Sequence, residues 1–235
     1  MLKKDKLLHI GTAGWYIPSN LHEHFPAGNS LLERYSKVFN AVEINTSFYR
    51  SHQKITYERW AAATPDDFLF SVKMPKEITH HQRLVEAHNL LDQFIKEVSF
   101  LKKKLGPILI QLPPSLKFES KIGDSFFKLL RNQFDGQVVL EPRNISWASP
   151  EALAVLIDNR IIPVVADPPI APIKGHTEQS FEYYRLHGSP KIYTSSYDAA
   201  YLHQLANHAN ASSWVIFDNT KFGAATQNAL DLKKL

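Results

Sequence analysis

The chain contains no cysteine, which excludes a disulfide framework, a thiolate metal site and a thiol nucleophile. That absence suits a reducing compartment, and the cytoplasm is the expected location. Any apolar run long enough to span a membrane is also missing. The first ten residues carry Lys3, Lys4 and Lys6, but the apolar stretch behind them is interrupted by His9 and followed by Gly11. Neither a signal peptide nor a membrane partner is therefore expected. A Gly-rich phosphate loop is lacking too, because Gly11-Thr12-Ala13-Gly14-Trp15 does not have the G-x-G-x-x-G spacing. No Gly/Ser linker, internal repeat or low-complexity tract divides the sequence. At 235 residues, 44% of them apolar, one domain spanning 1–235 is the simplest expectation.

Charge of one sign is scarce as well. The net charge of +4 would favour an anionic ligand only if it were gathered in one place. Much of it is not, since Lys102-Lys103-Lys104 and Lys233-Lys234 are expected to close helices as solvated cations that complement the macrodipole.

What the sequence does contain is eight short apolar runs ending in polar or charged residues, at 7–13, 41–46, 68–74, 108–112, 138–143, 161–167, 183–187 and 214–219. Segments of helical period lie between them. The clearest is 84–105, where Leu91, Phe94, Ile95, Val98, Leu101 and Leu105 share a face and Gly106-Pro107 is expected to end the helix. Ser149-Pro150-Glu151 supplies an N-cap, a proline at the first helical position and an acid in the first turn, opening a helix over 151–159. Shorter helices are expected at 31–39, 55–63, 125–133, 198–209 and 224–232. The segment 167–180, with Pro168, Pro169 and Pro172, predicts an irregular sixth crossover. Strand and helix alternating eight times argue for a parallel sheet covered by helices and closed as a TIM-type (β/α)8 barrel, an α/β fold.

Several motifs resemble one known family. Ile10-Gly11-Thr12-Ala13-Gly14-Trp15, Val42-Glu43-Ile44-Asn45-Thr46-Ser47-Phe48-Tyr49, Phe70-Ser71-Val72-Lys73-Met74-Pro75 with Thr79-His80, and Gln111-Leu112-Pro113-Pro114-Ser115 are similar to the YecE-like family, domain of unknown function 72. Glu141-Pro142-Arg143 with Trp147, Ala166-Asp167, Tyr184-Arg185-Leu186-His187-Gly188 and Phe217-Asp218-Asn219-Thr220 continue the match in order. The resemblance implies a TIM-type barrel of unassigned activity.

The strand ends then become chemistry. Residues i and i+2 of a strand point the same way, so Glu43 with Asn45, Glu141 with Arg143, and Arg185 with His187 each place two polar groups on the lumen side. Lys73, Gln111 and Asp167 extend the ring around the C-terminal mouth, where barrel loops build sites. Lys73, Arg143 and Arg185 suit a phosphate or carboxylate, which makes an anionic small molecule the expected substrate. Glu43, Glu141, Asp167 and His187 are the candidate catalytic residues, and hydrolase or lyase chemistry is the reaction class they suggest. Asn45, Tyr49, Lys73, His80, Gln111, Arg143, Trp147, Arg185 and Asn219 are candidate substrate-binding residues, with Tyr49 and Trp147 offering rings for stacking.

Three readings compete with that one. In the first, Glu43, Glu141 and Asp167 simply neutralise Lys73, Arg143 and Arg185 in a structural polar plug. In the second, Glu43, Glu141, Asp167, His187 and Asp218 bind a divalent metal, as in phosphodiesterase-like or sugar-isomerase-like barrels. No H-E-x-x-H or similar spaced pair supports that set, so no cofactor is expected. The third is a non-catalytic nucleic-acid-binding protein, permitted by the basic excess although the lysines are scattered and no recognised binding motif is present.

Overall fold

The computed structural model of the protein describes residues 7–169, 171 and 181–235. In chain order its regular elements are β1 (His9–Thr12), α1 (Leu31–Ser36), β2 (Ala41–Ile44), α2 (Lys54–Ala62), β3 (Leu69–Lys73), α3 (His88–Val98), β4 (Leu105–Gln111) and α4 (Ser120–Gln133). They continue with β5 (Val138–Glu141), α5 (Pro150–Asp158), β6 (Ile162–Asp167), β7 (Tyr183–Leu186), α6 (Ala199–His208), β8 (Trp214–Phe217) and α7 (Ala224–Lys233). Seven of the eight expected apolar runs contain a strand, and the fourth, 108–112, overlaps β4, which begins earlier at Leu105. The sixth crossover, expected to be irregular, lies largely outside the described residues.

All neighbouring strands are parallel, in the order β1-β8-β7-β6-β5-β4-β3-β2. A parallel bridge between Ala13 and Glu43 joins the two ends, giving a nearly closed TIM-type barrel. Along the rest of this seam, side chains replace ladder bonds. Asn40 accepts from Ile10 N at 2.9 Å and donates to Leu8 O at 2.8 Å. The Tyr35 hydroxyl accepts from Thr12 N at 2.8 Å and donates to Ala41 O at 3.2 Å. Gly11 permits the close approach, because a Cβ there would lie 2.1 Å from Ala41 O.

The pleat divides the apolar residues into two cores. Ile10, Val42, Phe70, Val72, Ile108, Ile110, Val138, Leu140, Val215 and Phe217 pack outward with the helices. Ala41, Leu109, Val139, Tyr183, Trp214 and Ile216 form a separate buried cluster on the opposite, lumen side. Two residues further along each strand, toward its C-terminal end, the inward positions turn polar: Glu43, Ser71, Gln111, Glu141 and Arg185. The N-terminus of α5 follows its sequence signature, with Ser149 Oγ accepting from Ala152 N at 3.1 Å and Pro150 in the first turn.

The helix expected over 84–105 is shorter. Arg83, Leu84 and Glu86 have φ of 52°, 69° and 50°, outside helical space, so α3 begins at His88. Gly106-Pro107 does not stop a helix but lies inside β4, where a Cβ on Gly106 would come within 2.5 Å of the Trp214 ring. The basic run before it is also redistributed. Lys104 is buried, and its Nζ donates to Ala61 O and Thr64 O at 2.7 Å each and to Thr64 Oγ1 at 3.0 Å, satisfying carbonyls at the C-terminal end of α2.

Candidate functional site

Arg185 stands at the centre of the polar layer, fully enclosed. Its Nε and Nη2 donate to Glu43 Oε2 at 2.9 Å and Oε1 at 2.8 Å, a bidentate pair. Nη2 also donates to Asp218 Oδ2 at 3.1 Å, and Nη1 to Gln111 Oε1 at 3.4 Å and to Glu141 in a close ion pair. One guanidinium thus ties together carboxylates at the ends of β2, β5 and β8. Glu43 Oε2 has a further neighbour in the Tyr183 hydroxyl at 3.0 Å, which lies 2.8 Å from Ser71 Oγ.

His187, just past β7, bridges the same acids one level higher. Its Nε2 is 2.8 Å from Glu141 Oε1 and its Nδ1 3.0 Å from Asp218 Oδ2. Burial alone would lower the imidazole pKa, but hydrogen bonds to Asp218 and Glu141 outweigh it and raise the pKa. Burial likewise disfavours ionised Glu141 and Asp218, yet Arg185 and then His187 hold both well below the usual carboxylate range. Arg143 joins at the rim with Nη2 2.6 Å from Glu141 Oε1, while its Nε is buried without a hydrogen-bond partner.

With His187 protonated, the form its raised pKa favours, the ion-paired network balances three carboxylates, Glu43, Glu141 and Asp218, against three cations, Arg143, Arg185 and His187. Lys73 is left over. It is the last residue of β3, only 8% exposed, and its Nζ lies 4.3 Å from the Phe48 ring centroid. Among the described residues it makes no ion pair. Burial first and the Arg185 charge second push its pKa down to about 8.

The other candidate residues are dispersed. Asn45 caps the short 3-10 turn Thr46–Phe48, and its Oδ1 is buried without a partner. His80 sits in the single π-helical turn Glu77–His81, hydrogen-bonded to Thr79 and edge-on to Phe48 at 5.0 Å; burial lowers its pKa, reinforced by Lys73. Tyr49 is largely exposed beside Phe48. Asp167 stands apart from the Arg185 network: its Oδ1 accepts from the Tyr197 hydroxyl at 2.9 Å, while its backbone carbonyl accepts from His187 N at 2.8 Å. Trp147 does not offer a face for stacking. It is buried against Phe118 and Phe127 with Nε1 donating to Leu116 O at 3.0 Å. Asn219 is turned away into a network with Ser195 O and Asn228 Oδ1, both at 2.9 Å.

The structure adds Tyr183 and Ser71 to the site and brings Asp218, a candidate in the sequence only as a metal ligand, into the ion-paired network. Alternation was the signal for all three, since Ile216 faces the lumen and Asp218 follows it by two, while Tyr183 and Ser71 precede Arg185 and Lys73 by two. Among the described residues no group of three or more His, Cys, Asp or Glu is arranged to hold a metal ion, and the carboxylates direct their oxygens to Arg185 and His187. No helix among them is long and apolar enough to cross a membrane.

The chain is similar to proteins of the UPF0759 and DUF72 groups. The UPF0759 protein YunF of Bacillus subtilis (strain 168) is 26% identical, covering 97% of this chain and 94% of that protein. The UPF0759 protein YecE of Escherichia coli (strain K12) is 33% identical over 107 residues, which span 46% of this chain and 38% of that protein. A solved DUF72 family protein from Thermotoga maritima MSB8 superposes with a TM-score of 0.81 at 25% identity, covering 97% and 98% of the two chains. The apo 3-keto-D-glucoside 4-epimerase of E. coli reaches only 0.55 at 11% identity over 97% of this chain and all of that one, a likeness of fold alone. A family model described as "Protein of unknown function DUF72" matches residues 9–235, and the chain belongs to that family.

Proposed function

We propose that this protein is an enzyme whose single barrel domain binds an anionic small molecule at its C-terminal mouth and acts on it by acid–base chemistry. The observation that carries this reading is the charge arrangement: a balanced buried network beneath, with the ammonium of Lys73 and the unpartnered Nε of Arg143 above it. Arg143 Nε is a buried donor without an acceptor, which is costly, and an oxyanion at the rim would satisfy it while neutralising Lys73. The Glu141–His187–Asp218 chain is continuous at hydrogen-bond distance, so an imidazole proton can pass between its two carboxylates. Asp218 is the end that meets substrate, its side chain being 13% exposed against 2% for Glu141. A proton held on His187, whose pKa is raised, passes through the ionised Asp218 to a leaving group or a developing oxyanion, which accounts for hydrolytic or elimination chemistry. Nucleic acid fits this geometry less well, because Arg185 is sealed and, among the described residues, no cation of the mouth stands free of the network except Lys73.

Calorimetric titration with inorganic phosphate tests the anion site. Wild-type protein is expected to bind it at one site, and Arg143→Met to bind about tenfold or more weakly, the equivalent of one lost charged hydrogen bond. Absence of heat from the wild type, or equal affinity in a folded Arg143→Met variant, would sink the proposal.

A further inference from the structure

Two lysines of this barrel are buried to nearly the same degree, and they are treated differently. Lys104 is 6% exposed and its ammonium is bound to three oxygens, as a buried structural cation must be. Lys73 is 8% exposed, yet its Nζ has an aromatic face and no oxygen partner among the described residues. Its backbone is pinned on both sides: the Ser47 hydroxyl lies 2.7 Å from Lys73 O, and Met74 N donates to Leu109 O at 2.8 Å. The strand end that carries the amine is thus pinned at the C-terminal mouth of the barrel, where substrate meets protein.

We propose that Lys73 is the nucleophile of this site, forming an iminium bond with an anionic carbonyl compound. This inference rests on the anion-binding reading of the mouth and names its substrate class. A desolvated lysine beside another cation is the arrangement that makes an amine available for carbonyl addition near neutral pH. Both causes are present here, burial and the Arg185 guanidinium, and they bring Lys73 to about 8. Arg143, with its free Nε, holds the carboxylate or phosphate of the same molecule.

The chemistry balances without a redox partner. The neutral Nζ attacks the carbonyl carbon, forming the N–C bond as the π electrons move to oxygen, which takes a proton that originates on His187 and passes through Asp218. The added nitrogen then returns one proton through Asp218 to the deprotonated His187. A second protonation at oxygen releases it as water, and the nitrogen lone pair closes the C=N bond. One carbonyl, one amine and one proton give one iminium ion and one water. The positive nitrogen then draws electrons from the adjacent carbon, so that deprotonation or bond cleavage there becomes easier.

Reductive trapping tests this directly. Intact protein is incubated with cyanoborohydride and either glyoxylate or glycolaldehyde phosphate, and the modified lysines are located by peptide mass spectrometry. The two probes share an aldehyde and an anion, and whichever labels faster tells whether a carboxylate or a phosphate is preferred. Modification is expected at Lys73 at least tenfold faster than at any exposed lysine, rising with pH and levelling above about 8. Lys73→Arg, which keeps the cation and removes the nucleophile, should abolish the fast modification. Labelling confined to surface lysines overturns the iminium proposal. If phosphate still binds the wild type in that case, the anion site stands and only the covalent step falls; if phosphate does not bind, both fall.

Discussion

Arg185 illustrates, at the scale of one residue, how a permanent charge is sealed inside a lumen. All three of its nitrogens donate to carboxylates, so removing the side chain leaves Glu43, Glu141 and Asp218 without their main counter-ion. Arg185→Met is expected to lower stability by about 3–5 kcal/mol, the range for one lost partner of a buried ion pair. Arg143→Met should cost clearly less, because Glu141 keeps Arg185 and His187. Urea denaturation of both variants measures the difference; equal losses would show that Arg185 is not the hub. Residue identity was largely legible from strand parity, which places Glu43, Lys73, Glu141, Arg185 and His187 together. Other positions are not legible this way. Asn219 is a binding candidate by sequence, but strand parity turns its neighbour Asp218 inward, and Trp147, a stacking candidate, is folded under the helices by the 3-10 turn Ile145–Ala148.

At the scale of elements, the weak point of the barrel is the seam between β1 and β2. One tyrosine hydroxyl there replaces a ladder bond, and it is the partner of both Thr12 N and Ala41 O. Tyr35→Phe keeps the ring packed on Phe25, Phe39 and Phe68 while stranding two buried backbone groups. A loss of about 1–3 kcal/mol is expected, with faster amide hydrogen exchange at Thr12 than on the β7–β8 ladder. Uniform exchange around the barrel would contradict a seam. The elements themselves were readable from their periods, and the start of α5 from its cap. The bounds of α3 were not, because the apolar spacing of residues 84–105 runs on through a turn at 83–86 and a 3-10 segment at Ser99–Lys104. Glycine and proline normally punctuate helices; here Gly106 serves close packing inside a strand.

At the scale of the molecule, the charged layer makes the stability of the whole barrel depend on pH, since its members come from strands on opposite sides of the lumen. Glu141 and Asp218 titrate below their ordinary values of 4.5 and 3.8. Their contribution is present above those values and lost as pH falls through the lower folded ones, because the unfolded chain then binds more protons. His9, His52 and His80, each lowered by burial, also favour the unfolded chain below about 6.5. His187 has the opposite sign. Raised above 6.5, it stabilises fully below that value and progressively less as pH climbs through its higher folded value. Lys73, lowered from 10.5 to about 8, then favours folding again as pH rises between those two values. The stability curve should therefore peak near pH 6.5, fall on both sides, and recover part of its height between about 8 and the ordinary tyrosine value of 10.0, above which the raised hydroxyls of Tyr35, Tyr57 and Tyr183 oppose it, with slopes near 1.4 kcal/mol per pH unit for each proton. Urea midpoints across this range are the measurement. His187→Gln should flatten the decline above 6.5, and Lys73→Met should shrink the recovery above 8 to the part due to Lys104, whose pKa burial also lowers. A variant that keeps the wild-type slope in its own window would show that its residue is not the group titrating there.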